Sequence, residues 1–397
     1  MSHTLDFDAV GIDALRAGGG MKWSLFPDKI GAFVAEMDFG TAPAITAALH
    51  AAIDAGALGY LPSALAAEMS AATAAWHRDR YGWTVDPAHI HPIADVIKGL
   101  EVAIEHYSAP GTAVILPTPS YMPFLTVPLT MGREIIQVPL VEGEHGSTLD
   151  LDGIDRAFAS GAGMMILCNP YNPVGRVFTR DELTALSLVV ERHGGRVFSD
   201  EIHAPLVYAG SAHVPYASVS PTTAAHTVTA TSASKAWNLP GLKTAQLIIS
   251  NPDDAAVWER IGPMASHGAS TLGVIANTVA YAEGGAWLDG VIDYLDGNRR
   301  FLGEALAAEL PGMGYRAPQG TYISWLDARG LGLDAAPAAF FRDHAGVALT
   351  EGSDCGPAGT GFLRFVFATP RPIIARAVEQ MGAAYRGRAQ QRASLQQ

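Results

Sequence analysis

The chain carries two hydrophobic rhythms. Up to about residue 80, apolar positions recur at helical spacing. Residues 41–56 (TAPAITAALHAAIDAG) predict a helix with Thr41 as its cap and Gly56 as its stop, and 63–80 predict an alanine-rich second helix. From residue 85 onward short apolar runs alternate with helices, the signature of a mostly parallel sheet. The runs predict strands over 112–116 (TAVIL), 134–138 (EIIQV), 163–168 (GMMILC), 196–199 (RVFS), 227–230 (TVTA) and 245–249 (AQLII). Helices fit 97–107, 180–193 and 253–261, the second opened by the capping-box pattern Thr179-Arg-Asp-Glu182. A long helix from near 271 through Trp287 leads to a second region, with strands near 321–326 and 362–367 and helices near 335–345 and 372–386. The first 20 residues, ending in Gly18-Gly19-Gly20, read as an arm, and the polar tail 386–397 is expected to fray. There is no internal repeat and no low-complexity linker.

Composition narrows the class. A chain of 397 residues, 49% hydrophobic and 16% charged, can bury a large interior and suits two packed domains of one α/β enzyme. The net charge of -13 repels polyanions and argues against nucleic acid as a partner. Two cysteines, Cys168 and Cys355, make no disulfide framework, and a reduced cytoplasm is the expected compartment. The opening MSHTLDFDAV has neither the basic nor the apolar region of a secretory leader, and no apolar run approaches the roughly 20 residues that span a bilayer. Lysine occurs only at 22, 29, 98, 235 and 243, while arginine is plentiful. Only lysine can form a Schiff base or lose its proton near neutrality, so each lysine invites a reason. For Lys22 and Lys29 a solvated surface charge is expected.

The chemistry gathers at strand ends, where ligands of open α/β sheets bind. After 163–168 comes Asn169-Pro-Tyr-Asn172-Pro-Val-Gly175, whose two Asn-Pro pairs force a non-helical turn. After 196–199 comes Asp200-Glu201-Ile202-His203, and after 227–230 comes Thr231-Ser232-Ala233-Ser234-Lys235. Three successive strand ends therefore deliver an amide, a carboxylate and an amine to one region. Each alone has a plain structural reading; the combination is much harder to obtain by accident.

On these residues the chain resembles the fold-type I pyridoxal-phosphate (PLP) enzymes, and within them the PatB/MalY-type C–S lyases, the cystathionine β-lyases. The resemblance runs from about residue 20 to 385 and rests on NPYNPVG (169–175), SDEIH (199–203), SASKAWNLPGLK (232–243) and LRFVFATPR (363–371). The segment KWSLFPDKIGAFVAEMDFGTAP (22–43) points to the lyase branch, with Phe33 where that family usually has tryptophan and Glu36 where it has aspartate. The resemblance implies a large domain with a mostly parallel seven-stranded sheet, about 50–285, and a smaller α+β domain. The smaller domain would be built from 286–397 and part of an N-terminal stretch, 1–49. It implies PLP held by Lys235 as a Schiff base, Asp200 against the pyridine nitrogen and Asn172 on the ring's 3′-oxygen. His203 would lie near that oxygen or be a structural histidine. Tyr121 would stack on the ring or pack in the core. For the phosphate it implies the N–H groups of Val96 and Ile97, at the start of the helix opened by Asp95-Val96-Ile97-Lys98-Gly99, with Ser232, Ser234 and Lys243. It also implies Tyr60 of the partner subunit in a homodimer. Arg364 would grip the substrate's α-carboxylate, with Arg371 in a structural role.

The implied reaction is β-elimination on L-cystathionine or a related cysteine S-conjugate. Lys235 would take the α-proton, and thiol, pyruvate and ammonia would be released. The alternatives are an aminotransferase with the same site and a cofactor-free interaction protein of the same fold. The Gly330-Leu-Gly332-Leu-Asp-Ala335 run reads as a loop rather than a dinucleotide fingerprint. The histidines, including His89 and His91, lack companions at zinc spacing, so no metal is expected. Cys168 reads as an inert packed thiol.

Overall fold

Runs such as MMILC and TVTAT are apolar or small throughout, because strands covered on both faces do not alternate. In the computed structural model, which describes residues 6–143, 146–333 and 336–395, they form the centre of a seven-stranded sheet. Its spatial order is Ile90–Ile93, Ala245–Ile249, Thr227–Thr231, Arg196–Asp200, Met164–Cys168, Val114–Thr118 and Ile135–Pro139. The last five run parallel to one another, and Ala245–Ile249 is antiparallel to both of its neighbours. All six strands expected from the pattern are present within two residues of their expected starts. The seventh, Ile90–Ile93, escapes the pattern: it is four residues long and contains Pro92, which is tolerated because the strand lies at the sheet edge.

The chain forms two units. One comprises Met1–Gly40, Pro173–Gly175 and Gly290–Gln397, and the other Thr41–Asn172 and Arg176–Asp289. The first boundary falls after Gly40 rather than at 49/50, because helix Pro43–Asp54 packs against helix Thr271–Glu283 of the larger unit. Thr41 is not its cap. Ala42 holds that position before Pro43, and the Thr41 hydroxyl donates to the Trp237 carbonyl at 2.6 Å. Gly56 does follow the helix with a positive φ of 71°. The second boundary falls at 289/290 rather than 285/286, inside helix Gly285–Glu309. The expected single helix through Trp287 is two, Thr271–Glu283 and Gly285–Glu309. Between them the Gly284 carbonyl accepts from the Trp237 indole at 3.0 Å, and a Cβ on Gly284 would lie 2.3 Å from that nitrogen. The capping box of helix Arg180–Arg192 forms as expected, with Thr179 and Glu182 bonding each other's backbone. Among the described residues no helix is long and apolar enough to cross a membrane.

The smaller unit has a four-stranded antiparallel sheet in the order Gly314–Tyr315, Ile323–Asp327, Phe362–Val366, Thr350–Glu351. Where one helix is expected over 335–345, Pro337–Phe340 passes into a π-turn at Phe341–Ala345. Asp334 and Ala335 lie outside the described residues, and Arg329–Leu331 is a 3-10 turn. The tail does not fray at 386. Helix Arg371–Leu395 runs through it, since its alanines, arginines and glutamines are good helix formers.

Lys22 overturns its expected surface role. Its side chain is 1% exposed, its ammonium meets Asp38 Oδ2 at 2.7 Å and reaches the Glu36 carbonyl at 3.4 Å, and the Trp23 indole donates to Asp38 Oδ1 at 2.8 Å. A buried charge is costly unless it is paired or well hydrogen-bonded, so the two residues hold the 22–38 segment together. Asp38→Ala, which leaves the buried ammonium without its counter-charge, is expected to lower the unfolding free energy by about 3–5 kcal/mol. A urea midpoint equal to the parent's would show that the pair holds nothing.

Candidate active site

Parallel pairing sets the site. Cys168 lies in register with Asp200, and Asp200 with Ala230, so three adjacent strands end at one level. The Asn169 N–H donates to the Asp200 carbonyl at 2.9 Å and the Glu201 N–H to the Ala230 carbonyl at 2.8 Å, which carries the pairing one residue past the strands. The turns at Thr118-Pro119 and Asn169-Pro170 are both cis. The Tyr171 hydroxyl donates to the Pro117 carbonyl at 2.8 Å and ties these two strand ends together. Asn169 is used locally, its Oδ1 accepting from the Phe178 N–H at 3.0 Å, and Asn172 is buried at the far side of the turn.

The acid lies within reach of the amine's charge and next to the end of the Asn-Pro turn. The Asn172 backbone N–H faces the Cys168 thiol, whose sulfur is 3.9 Å from Asp200 Oδ2, and the charge of Lys235 acts on Asp200. Cys168 thus borders the site, although burial and the neighbouring Asp200 push its thiol well above the usual range, as an unreactive packed cysteine requires. Asp200 is buried and its Oδ1 accepts from the Ile202 N–H at 3.0 Å. His203 is buried beside it, and Ser234 and Lys235 are half-buried.

Helix Val96–His106 points its N-terminus at the same edge. Gly99 lets it approach the sheet: a Cβ there would stand 2.9 Å from Ile93 Cδ1 and 3.4 Å from Ala230 Cβ. Asp95 caps the helix by accepting from the Lys98 N–H at 2.8 Å. The N–H groups of Val96 and Ile97, in the first turn, have no intrahelical acceptor. Two expected phosphate ligands are otherwise engaged. Lys243, 62% exposed, pairs with Asp95 Oδ2 at 2.9 Å. Buried Ser232 donates to the Thr244 carbonyl at 2.7 Å and accepts from the Ser234 N–H at 3.0 Å, which uses its only proton. Tyr121 is half-buried with its ring edge-on to Phe124 at 5.5 Å. Tyr60 is 90% exposed and stands on the same unit as exposed Leu58 and Met264.

In the smaller unit Arg364 is buried at the middle of its strand, opposite Trp325 and Thr350, and its Nη2 donates to the Phe33 carbonyl at 2.8 Å. The Thr350 hydroxyl donates to the same carbonyl at 3.2 Å. Arg371 is structural: its N–H donates to the Tyr294 hydroxyl at 2.7 Å and its Nε to Asn298 Oδ1 at 3.2 Å. Sequence reasoning missed Glu201 and His213, which form a buried pair at 3.0 Å behind Asp200. Glu201 lies within the SDEIH motif, but nothing in the spacing marks His213 as its partner.

Burial pushes the Asp200 carboxyl up from 3.8 to about 7; the Ile202 N–H and the Lys235 charge oppose this, and the Glu201 charge adds to it. The folded protein keeps a proton that the unfolded chain releases near pH 4, so Asp200 makes stability fall as pH rises from about 4 to about 7. In urea unfolding of the ligand-free protein across that window, Asp200→Asn is expected to remove a decline on the order of a few kcal/mol. Identical pH profiles for parent and variant would contradict the elevated carboxyl.

Comparison with known proteins places this geometry. The aminotransferase class I and II family matches residues 28–381. A cystathionine beta-lyase of Corynebacterium glutamicum is 38% identical over 366 residues, covering 91% of this chain and 96% of that protein. The cystathionine beta-lyase PatB of Bacillus subtilis is 34% identical, covering 85% and 87%. A Corynebacterium diphtheriae crystal structure, assigned as a PLP-dependent beta-cystathionase, superposes with a TM-score of 0.91 at 40% identity, covering 95% of this chain and 98% of that one. With the predicted strands and this coverage in agreement, the chain belongs to the aminotransferase class I and II family, in its fold-type I architecture.

Proposed function

We infer that the protein is a PLP-dependent carbon–sulfur lyase, which eliminates the β-substituent of L-cystathionine or a related L-cysteine S-conjugate to give a thiol, pyruvate and ammonia. One observation carries the reading: a buried carboxyl under the charge of a lysine sits at aligned strand ends in a chain 38% identical to a cystathionine beta-lyase. The donor set fits the cofactor. A carboxyl raised to about 7 by burial is best satisfied by a cationic N–H, which a protonated pyridine ring provides. Bound there, PLP supplies the electron sink that stabilises negative charge at the substrate's α-carbon.

The chain's own groups then divide the work. Lys235 would hold the cofactor, and its free amine would take the α-proton as general base. Asp200 would keep the ring nitrogen protonated, and Asn172 would donate to the ring oxygen. The Val96 and Ile97 N–H groups and the Ser234 hydroxyl would hold the phosphate, and Tyr121 would stack on the ring. Lys243 contributes charge next to the phosphate while bound to Asp95. The guanidinium of Arg364, oriented by the Phe33 carbonyl, grips the α-carboxylate. The exposure of Leu58 and Tyr60 suits a homodimer in which Tyr60 of the partner subunit would complete the phosphate site. Two buried thiols suit a cytoplasmic enzyme.

Incubation with L-cystathionine alone is expected to release pyruvate and free thiol in equal amounts; amino transfer dependent on an added 2-oxo acid would instead identify an aminotransferase. Lys235→Ala is expected to abolish the visible cofactor band and lower kcat by at least about a hundredfold. Arg364→Lys, which loses the bidentate fork, is expected to lower kcat/KM by about 10–100-fold, chiefly through KM. An unchanged KM in that variant would remove Arg364 from substrate binding.

A further inference from the structure

The strand that delivers Asp200 delivers a second acid one residue later. Glu201 turns to the Ser199 side of the strand and is completely buried. Its Oε1 accepts from the Ser199 hydroxyl at 2.9 Å and from the Tyr216 N–H at 2.9 Å, and its Oε2 meets His213 Nε2 at 3.0 Å. Its main chain is bonded on both sides to the strand leading to Lys235, through the Ala230 carbonyl at 2.8 Å and the Thr231 hydroxyl at 3.3 Å. Three donors on one dry carboxylate make a rigid acid, next in the chain to Asp200.

The groups around it do not cancel its charge. His213 Nδ1 is buried without a hydrogen-bond partner, so a second N–H there would be stranded and the neutral Nε2–H tautomer suits the geometry. His77, on helix Ser63–Tyr81, is held neutral by burial, which lowers it to about 4. Tyr81 lies edge-on to His213 at 5.0 Å, and burial raises its phenol far above neutrality. Facing Asp200 itself are the Cys168 thiol and Lys235, together with Glu201.

We propose that Glu201 is a positioning residue that, acting through Asp200, keeps the ring nitrogen of bound pyridoxal phosphate protonated by fixing a second negative charge directly behind the first. The proposal rests on the reading of Asp200 given above. The alternative is mechanical: Glu201 would only lock the 211–216 loop to the strand end.

Charge and mechanics separate in the holoenzyme reconstituted with pyridoxal phosphate labelled with 15N at the ring, whose NMR shift reports protonation without any turnover. Glu201→Gln, nearly isosteric, is expected to lower the proton affinity of the ring nitrogen about tenfold, one unit in its titration. Glu201→Asp, which keeps the charge on a shorter arm, is expected to stay within about twofold of the parent, as is His213→Gln. Asp200→Asn is the reference and is expected to strip the nitrogen of its proton at neutrality. If Asp200→Asn moves the signal and Glu201→Gln does not, the proposal fails while the Asp200 assignment stands. If Glu201→Asp shifts it as far as Glu201→Gln, the role is mechanical and the proposal fails as well. A signal unmoved by Asp200→Asn would overturn the underlying reading instead.

Discussion

The site depends on the register of parallel strands. Hydrogen bonds between Met164–Cys168, Arg196–Asp200 and Thr227–Thr231 bring Cys168, Asp200 and Ala230 level. Whatever follows each strand is therefore projected into one volume. A register shift of one residue would turn Asp200 to the opposite face and put Glu201 in its place. The sheet interior that enforces this register is apolar on both sides, and the same dryness raises the Asp200 carboxyl to about 7. Architecture and acid–base behaviour thus have one cause.

Acidity at a dry strand end needs compensation, and the protein uses different means at neighbouring positions. Asp95, near the helix N-terminus, is neutralised by Lys243 and by the Lys98 N–H. Glu201 is satisfied by three hydrogen-bond donors. Asp200 has the Ile202 N–H and the opposing charge of Lys235, yet its carboxyl remains raised. That raised carboxyl suits the role inferred for it.

Legibility followed covalent order. The six apolar runs, the capping box at Thr179 and the placing of Asp200 at a strand end were readable because each lies within a few residues of a strong local signal. Ile90–Ile93 was not, since a four-residue edge strand with a proline has no period to detect. The break at Gly284 depends on Trp237, 47 residues away, and the burial of Lys22 on Asp38, 16 residues away. Lysine scarcity was a usable sign for Lys22 as much as for Lys235; without a visible partner it reads as a surface charge. Ser232 shows the converse, a motif residue whose hydroxyl is committed to the Thr244 carbonyl.

The departures of the N-terminal segment from the lyase pattern fall where the backbone carries the contact. Phe33 replaces the usual tryptophan, but what orients Arg364 and binds Thr350 is the Phe33 carbonyl. Glu36 replaces the usual aspartate, but what Lys22 reaches is the Glu36 carbonyl. A main-chain acceptor is indifferent to the side chain it belongs to, provided the segment keeps its path, and the buried Lys22–Asp38 pair keeps that path. Arg364 can thus be held by the main chain while the side chains at 33 and 36 vary. Variation in substrate choice is then expected from the shape of those side chains, and not from loss of the carboxylate grip.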